Sequence, residues 1–204
     1  MNEQEQFWQG EFGDEYIDRN NADKMLGINM ALFSNVFSRT RDVESVIELG
    51  ANIGMNLKAI KTILPEVEVY GLEINKRAAR ILVKQFGQEN VYNCSIKEYK
   101  GYKQFHMVIT KGVLIHQNPD DLPQIYDMMY NMAVKYIFIA EYYNPVPVAV
   151  TYRGNENKLF KRDFCGEIMA RHTDLKLLDY GFCYHNDPVF PMDDINWFLL
   201  RKSI

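Results

Sequence analysis

Hydrophobic positions along the chain switch between two spacings, and the switches predict alternating helices and strands. From Ala22 to Arg39 the apolar residues Met25, Ile28, Leu32 and Val36 follow helical spacing, with Asn21 as a possible cap. Val43 to Leu49 is a buried strand ending at Gly50; Leu57, Ile60 and Leu64 then stripe a helix that Pro65 stops. Val67 to Leu72 is a second strand, and Asn75 caps a helix through Phe86 that Gly87 closes. Val91 to Cys94 and Phe105 to Thr110 read as the third and fourth strands. Leu122, Ile125, Met129 and Ala133 mark a helix, and Lys135 to Ala140 a fifth strand. A looser stretch, Asn144 to Asn157, leads to a helix expected over Leu159 to Arg171, before strands at Leu175 to Tyr184 and Ile195 to Arg201. The first 20 residues mix Phe7, Trp8, Phe12 and Tyr16 with Gly10 and Gly13, which predicts an ordered arm rather than a helix.

Strands alternating with helices imply a mostly parallel sheet with helices on both faces. The last two strands have no helix between them, so they must join as an antiparallel hairpin. Seven strands with such an end is the Rossmann-like layout of the class I methyltransferase sheet, an α/β fold. The expected organisation is one domain over residues 1–204. Residues 1–40 act as arm, leading helix and lid, residues 41–143 as the ligand-binding core, and residues 144–204 as a substrate-side insertion with the terminal hairpin.

The bulk properties narrow the chemistry. A chain of 204 residues with 47% hydrophobic and 25% charged residues can bury a full core without a staple. The net charge of -4 disfavours a protein that binds nucleic acid through phosphate neutralisation. Cys94, Cys165 and Cys183 form no CxxC pair, and the four histidines form no close ligand pair, so no metal is expected and the thiols read as reduced in a cytoplasmic setting. The polar start is not a signal peptide, and no apolar run approaches the roughly 20 residues of a membrane span.

The most informative segment is VIELGANIG, Val46 to Gly54: a strand, an acid, two glycines and a helix. Gly50 permits a tight turn, and Gly54 keeps bulk away where backbone approaches a ligand. In open α/β sheets the ligand sits beyond the carboxyl ends of the strands at the switch point, where this loop lies. A dinucleotide fingerprint aligned on Gly50 would need glycines where Asn52 and Met55 stand. The loop instead resembles the methyltransferase signature [DE]xGxGxG, with Glu48, Gly50 and Gly54 in place and a departure at the middle glycine, where Asn52 stands; asparagine tolerates positive φ. Glu73, roughly 20 residues beyond the glycine loop at the end of the second strand, is placed to accept the ribose hydroxyls, with Ile74 beside it. Together these predict S-adenosylmethionine as cofactor.

Cys94, Ser95 and Ile96 follow the third strand, where adenine is expected, although the segment can equally be a plain strand end. Lys111, Gly112 and Val113 leave the fourth strand, where methyl donor and acceptor meet. His116 is the first candidate for a general base, ahead of Glu141 and His185, though it can equally be a packing or capping residue. In the arm, Tyr16, Arg19 and Asn20 are candidate cofactor contacts, with Arg19 a partner for the donor's carboxylate. Phe7, Trp8 and Phe12 are expected to staple the arm to the core.

Four stretches go beyond this general scheme: FWQGEFGDEYIDRN, GVLIHQNPDDLPQIYD, IAEYYNPVPVAVTYRGNENKLFKRDFCGE and DYGFCYHNDPVFPMDDINWFLLRK. The chain resembles, over nearly its whole length, the pseudaminic acid biosynthesis-associated methylases. That resemblance implies methyl transfer in a bacterial nonulosonic-acid sugar pathway and leaves the acceptor atom unstated.

Tyr142, Tyr143, Tyr152, Arg153, Lys161 and Arg162 supply aromatic faces and cations suited to a polar, anionic sugar-type small molecule, since arginine reads carboxylates and phosphates in bidentate fashion. Lys158, Lys161 and Arg162 can instead be the solvated face of a helix. The rival readings are a methyltransferase acting on RNA or protein, a non-catalytic cofactor-binding partner protein, and a nicotinamide reductase, the last disfavoured by the glycine loop. No nucleic-acid or membrane partner is expected, and oligomeric state is not legible.

Overall fold

The computed structural model describes residues 1–19 and 22–203, with no account of the side chains of residues 18, 19 and 22–24. The cap expected at Asn21 and the cofactor contacts expected from Arg19 and Asn20 therefore lie outside the described residues.

The amino-terminal arm is helical, which corrects the expectation above. Helix α1 (Glu3–Gln9) starts in a capping box in which Asn2 accepts from the Glu5 N–H and the Glu5 carboxylate accepts from the Asn2 N–H. Gly10 ends it, and α2 (Glu11–Arg19) follows. Stacking of Phe7 on Phe12 at 4.1 Å and the edge of Trp8 against Phe12 at 5.3 Å hold the two helices together. The capping box and these ring contacts outweigh the poor helix propensity of the glycines.

Helix α3 (Ala22–Phe37) leads into the alternating core: β1 (Ser45–Leu49), α4 (Met55–Ile63), β2 (Glu68–Leu72), α5 (Lys76–Phe86), β3 (Val91–Tyr92), β4 (Phe105–Lys111), α6 (Leu122–Met132) and β5 (Ala133–Glu141). Then come β6 (Val148–Tyr152), β7 (Asn155–Lys161), α7 (Phe164–Arg171), β8 (Leu175–Cys183) and β9 (Ile195–Lys202). The main sheet runs β3-β2-β1-β4-β5-β9-β8; its first five strands are parallel, and β9 lies antiparallel between β5 and β8.

Alternate strand residues feed two cores. Val46, Val69, Met107, Ile109 and Phe138 pack with α3, α4 and α5 on one face. Ile47, Tyr70, Val108, Ile137 and Ile139 pack with α6 and α7 on the other. All five residues of β1 are buried, as a central parallel strand covered on both faces requires.

A second correction concerns residues 144–171. The stretch expected to be loose is an antiparallel hairpin of β6 and β7, and the helix begins only at Phe164, capped by the Asp163 carboxylate on the Gly166 N–H at 2.7 Å. Tyr152 pairs with Asn155 across a two-residue turn in which Arg153 and Gly154 have φ of 49° and 82°. Two positive φ values match the handed twist of a tight hairpin. Lys158 and Lys161 accordingly belong to a strand, not to the face of a helix.

Asn75 joins the arm to the core. Its carboxamide oxygen accepts from the N–H groups of Arg77 and Ala78, while its nitrogen donates to the Asp14 carboxylate at 2.9 Å and lies 3.4 Å from the Trp8 carbonyl. Asn75→Ala removes a helix cap and the tether of α1 and α2 in one change. Stability should fall by about 1–2 kcal/mol in urea denaturation, with faster protease cleavage within the first 20 residues.

Candidate functional site

The carboxyl ends of β1, β2 and β4 open into a cavity of about 1190 Å³, its mouth included, which α1 and α2 overlie. Its floor is the loop after β1. Gly50 turns at φ 71° while the N–H groups of Gly50 and Ala51 both reach the Leu72 carbonyl, at 2.8 and 3.0 Å. A Cβ on Gly50 would stand 2.7 Å from the Val113 side chain, so only glycine lets the loops after β1 and β4 meet here. Asn52, at φ 47°, gives its N–H to Glu73 at 2.7 Å. Gly54 has a different job from the ligand approach expected of it. It lies outside the cavity, and a Cβ there would strike Leu82 and Phe86 of α5 at 2.6 and 2.7 Å.

The cavity gathers most of the residues expected to hold a cofactor. Tyr16, Glu48, Gly50, Asn52, Glu73 and Ile74 line it, as do Cys94, Ser95, Ile96, Lys111, Gly112 and Val113. Glu73 is buried and receives the Asn52 and Asn75 N–H groups, each at 2.7 Å; burial nevertheless raises its pKa. Glu48 is less well compensated. Its Oε1 accepts from Asn56 at 2.5 Å, its Oε2 has no partner, and burial pushes its pKa up to about 8 despite nearby Lys111. Burial also pulls the Lys111 ammonium down, against Glu48, Asp193 and Glu141. The side-chain oxygens of Asn29, Asn52 and Asn56 are likewise buried without hydrogen bonds, and all three residues line the cavity, as Glu48 does. Buried acceptors without donors are costly unless a donor arrives to meet them.

The three candidate bases separate. His116 lines the cavity, 4.6 Å from the Trp8 ring and 4.9 Å from that of Tyr152. Its Nδ1 is 2.6 Å from the Lys158 carbonyl. A carbonyl only accepts, so Nδ1 carries the hydrogen and Nε2 the lone pair. Burial lowers its pKa to about 4, which keeps the ring neutral. Glu141 lies outside the cavity. Its carboxylate accepts from the N–H groups of Val113, Leu114 and Ile115 at 3.0, 3.0 and 3.3 Å, so it holds the turn that presents His116; burial moves its pKa to about 7. His185 is exposed and paired to Asp194 at 2.9 Å, away from the cavity.

The residues expected to bind substrate are not brought together in the cavity wall. Tyr152 backs His116, and Tyr142 lies under the Lys161 ammonium at 5.0 Å. Tyr143 is exposed against Phe198, Arg153 is exposed at the hairpin turn, and Arg162 is bound to Glu167 at 2.6 Å. Lys158 is ion-paired with Glu3 of α1. Sequence reasoning missed Gln4, Glu5 and Trp8 of α1, Asn29 of α3 and Asn56 of α4, all of which line the cavity. The capping-box spacing of Asn2 and Glu5 was the available signal for α1.

Among the described residues no group of three or more His, Cys, Asp or Glu is placed to hold a metal ion, and no helix is long and apolar enough to cross a membrane.

Comparison with solved structures assigns the architecture. A Leishmania major S-adenosylmethionine-dependent methyltransferase superposes with a TM-score of 0.70 over 100% of this chain and 87% of its own, at 13% identity. The Burkholderia thailandensis 1,6-didemethyltoxoflavin-N1-methyltransferase, solved with S-adenosylhomocysteine, gives 0.66 over 95% and 84%, at 15% identity. A glycopeptide N-methyltransferase complexed with S-adenosylmethionine gives 0.63 over 86% and 94%, at 11% identity. This is the class I methyltransferase fold. No family model matches the sequence, and no curated protein matches it either. At these identities the likeness speaks for the fold alone.

The buried acids make stability depend on pH. Glu48 near 8 and Glu141 near 7 both lie above the ordinary carboxyl value of 4.5, so the folded chain holds their protons more tightly than the unfolded chain does. Their contribution is complete below about pH 4.5 and is lost as pH rises through 7 to 8. Thermal unfolding of the ligand-free protein should drop by several degrees between pH 5.5 and 8.5, and Glu48→Gln should flatten that decline.

Proposed function

We propose that this chain is an S-adenosylmethionine-dependent methyltransferase whose acceptor is a small, polar, anionic sugar-type molecule of the nonulosonic-acid kind. The observation that carries the cofactor reading is that Glu48, which keeps an unpartnered oxygen, and Glu73 line one cavity at the ends of adjacent strands. A methionine tail brings an ammonium to Glu48 Oε2 and the asparagine oxygens, and a ribose brings two hydroxyls to Glu73. Backbone N–H groups and glycines arranged for a pyrophosphate are missing from this loop, where Asn52 and Met55 stand. Neighbours of the same fold solved with S-adenosylhomocysteine or S-adenosylmethionine point the same way.

When bound, the cofactor supplies an electrophilic methyl group. The protein's part is to hold the acceptor in line with it and keep water away. His116 is placed for the proton: its tautomer is fixed by the Lys158 carbonyl, its Nε2 is an acceptor, and Trp8 and Tyr152 shield it. An acceptor hydroxyl at Nε2 would lose its proton to the ring as the methyl arrives. Glu141 acts through His116 by fixing its turn. The sugar-type acceptor rests on the family resemblance and on the polar lining. Its negative group is best met by Lys111, since Lys158 and Arg162 are engaged by Glu3 and Glu167.

Calorimetric titration with S-adenosylhomocysteine tests the cofactor reading. Binding in the micromolar range is expected, weakened about tenfold or more by Glu73→Ala; no binding by the intact chain refutes it. His116→Asn keeps a donor for the Lys158 carbonyl. With a methylated nonulosonic acid as product, it should lower kcat by about 10² or more while S-adenosylhomocysteine affinity stays within about twofold. Unchanged turnover would remove His116 from the chemistry.

A further inference from the structure

We propose that Gln4 of α1 is a positioning residue for the base: by holding the Asn157 carbonyl in a bulge of β7, it aims the next carbonyl, that of Lys158, at His116 Nδ1. The inference rests on the reading of His116 above and extends it to the amino-terminal helix. The bulge follows from the register of the hairpin. Val150 pairs with Leu159 and Tyr152 with Asn155, so Glu156, Asn157 and Lys158 stand opposite Thr151 alone. Asn157 carries the kink, with a left-handed φ of 55°. Residues in a bulge lose their regular places in the ladder, and their groups are re-aimed. Two of these carbonyls meet the site. That of Asn157 accepts from Gln4 Nε2 at 3.2 Å, and that of Lys158 lies 2.6 Å from His116 Nδ1.

The peptide group is planar, so only the φ and ψ of Lys158 separate the two carbonyls. The Lys158 side chain is itself buried and ion-paired with Glu3 of the same helix. Holding the Asn157 carbonyl therefore limits how far its neighbour can swing from His116. Stability does not explain why a glutamine stands here. Gln4 is 93% buried, its Nε2 makes one hydrogen bond, and its Oε1 has no partner. One neutral hydrogen bond does not offset a sealed acceptor, so an apolar side chain of the same length would pack at least as well. It would lack the donor that holds the bulge. With the bulge held, His116 keeps its hydrogen on Nδ1 and its lone pair on Nε2; with the bulge released, the ring can take either tautomer.

Nitrogen-15 NMR of the imidazole rings in the full chain reads the tautomer with no acceptor present, the His116 signals being assigned by their loss in His116→Asn. At neutral pH the intact protein should show one tautomer, with the hydrogen on Nδ1. Gln4→Met should mix the two tautomers while Tm stays level or rises. An unchanged tautomer overturns the proposal, and so does a fall in Tm with the tautomer intact, which would make Gln4 a packing residue only. Two changes in the bulge leave α1 untouched. Asn157→Gly, which accepts positive φ, should keep the single tautomer; Asn157→Val, which resists it, should mix them as Gln4→Met does. In the turnover assay above, Gln4→Met should lower kcat by about tenfold with S-adenosylhomocysteine affinity within about twofold, and should add nothing to His116→Asn. Full turnover by His116→Asn is a separate outcome that sinks the reading of His116 itself and this inference with it.

Discussion

A buried carboxylate must find donors or give up its charge, and the upper edge of this sheet carries three of them. Glu48 is the penultimate residue of β1, Glu73 directly follows β2 and Glu141 ends β5, and all are at least nine-tenths buried. Two are met by backbone. Glu73 gathers N–H groups of Asn52 and Asn75, which shapes the loop after β1 and the start of α5. Glu141 gathers three successive N–H groups after β4, which sets the turn carrying His116. Glu48 receives one amide and keeps an oxygen bare. The loops around the cavity are thus built by carboxylates that have been satisfied, and the cavity faces the one that has not.

This division explains what was legible in the sequence. Residues whose position follows from a strand end could be found by counting: the loop from Glu48 to Asn52, Glu73, the turn at Cys94 to Ile96, and Lys111 to Val113 all reach the cavity. The cap at Asn75 and the stop at Gly87 bound α5 as local chemistry dictates. Residues placed by tertiary contact could not be counted. Gln4 and Trp8 arrive at the cavity because α1 folds back across the sheet edge, held by Asn75, Lys97 and Lys158 from three distant parts of the chain. The grouping of Arg153, Lys158, Lys161 and Arg162 looked like one basic surface because strand pairing was missed. A hairpin disperses neighbours to opposite faces and hands two of those cations to acidic partners.

Gly54 shows how a motif position can mislead about its cause. The same residue type at the same spacing can serve a ligand or a helix. Here the adjacent α5 side chains occupy the space that a Cβ would need, so packing alone demands glycine. Gly50 is constrained by Val113 in the neighbouring loop, which keeps the floor and far wall of the cavity in contact.

The placement of β9 bears on how the molecule is made. This strand lies between β5 and β8, hydrogen-bonded on both sides, and spans residues 195–202. A polypeptide emerging from the ribosome can assemble β1 to β5 with their helices early. The far half of its sheet must wait until residue 202 has cleared the exit tunnel. Until then β5 exposes an edge of unpaired N–H and C=O groups to the crowded cell, so the interval between synthesis of β5 and of β9 is when a nascent chain of this design is most open to chaperones and to aggregation.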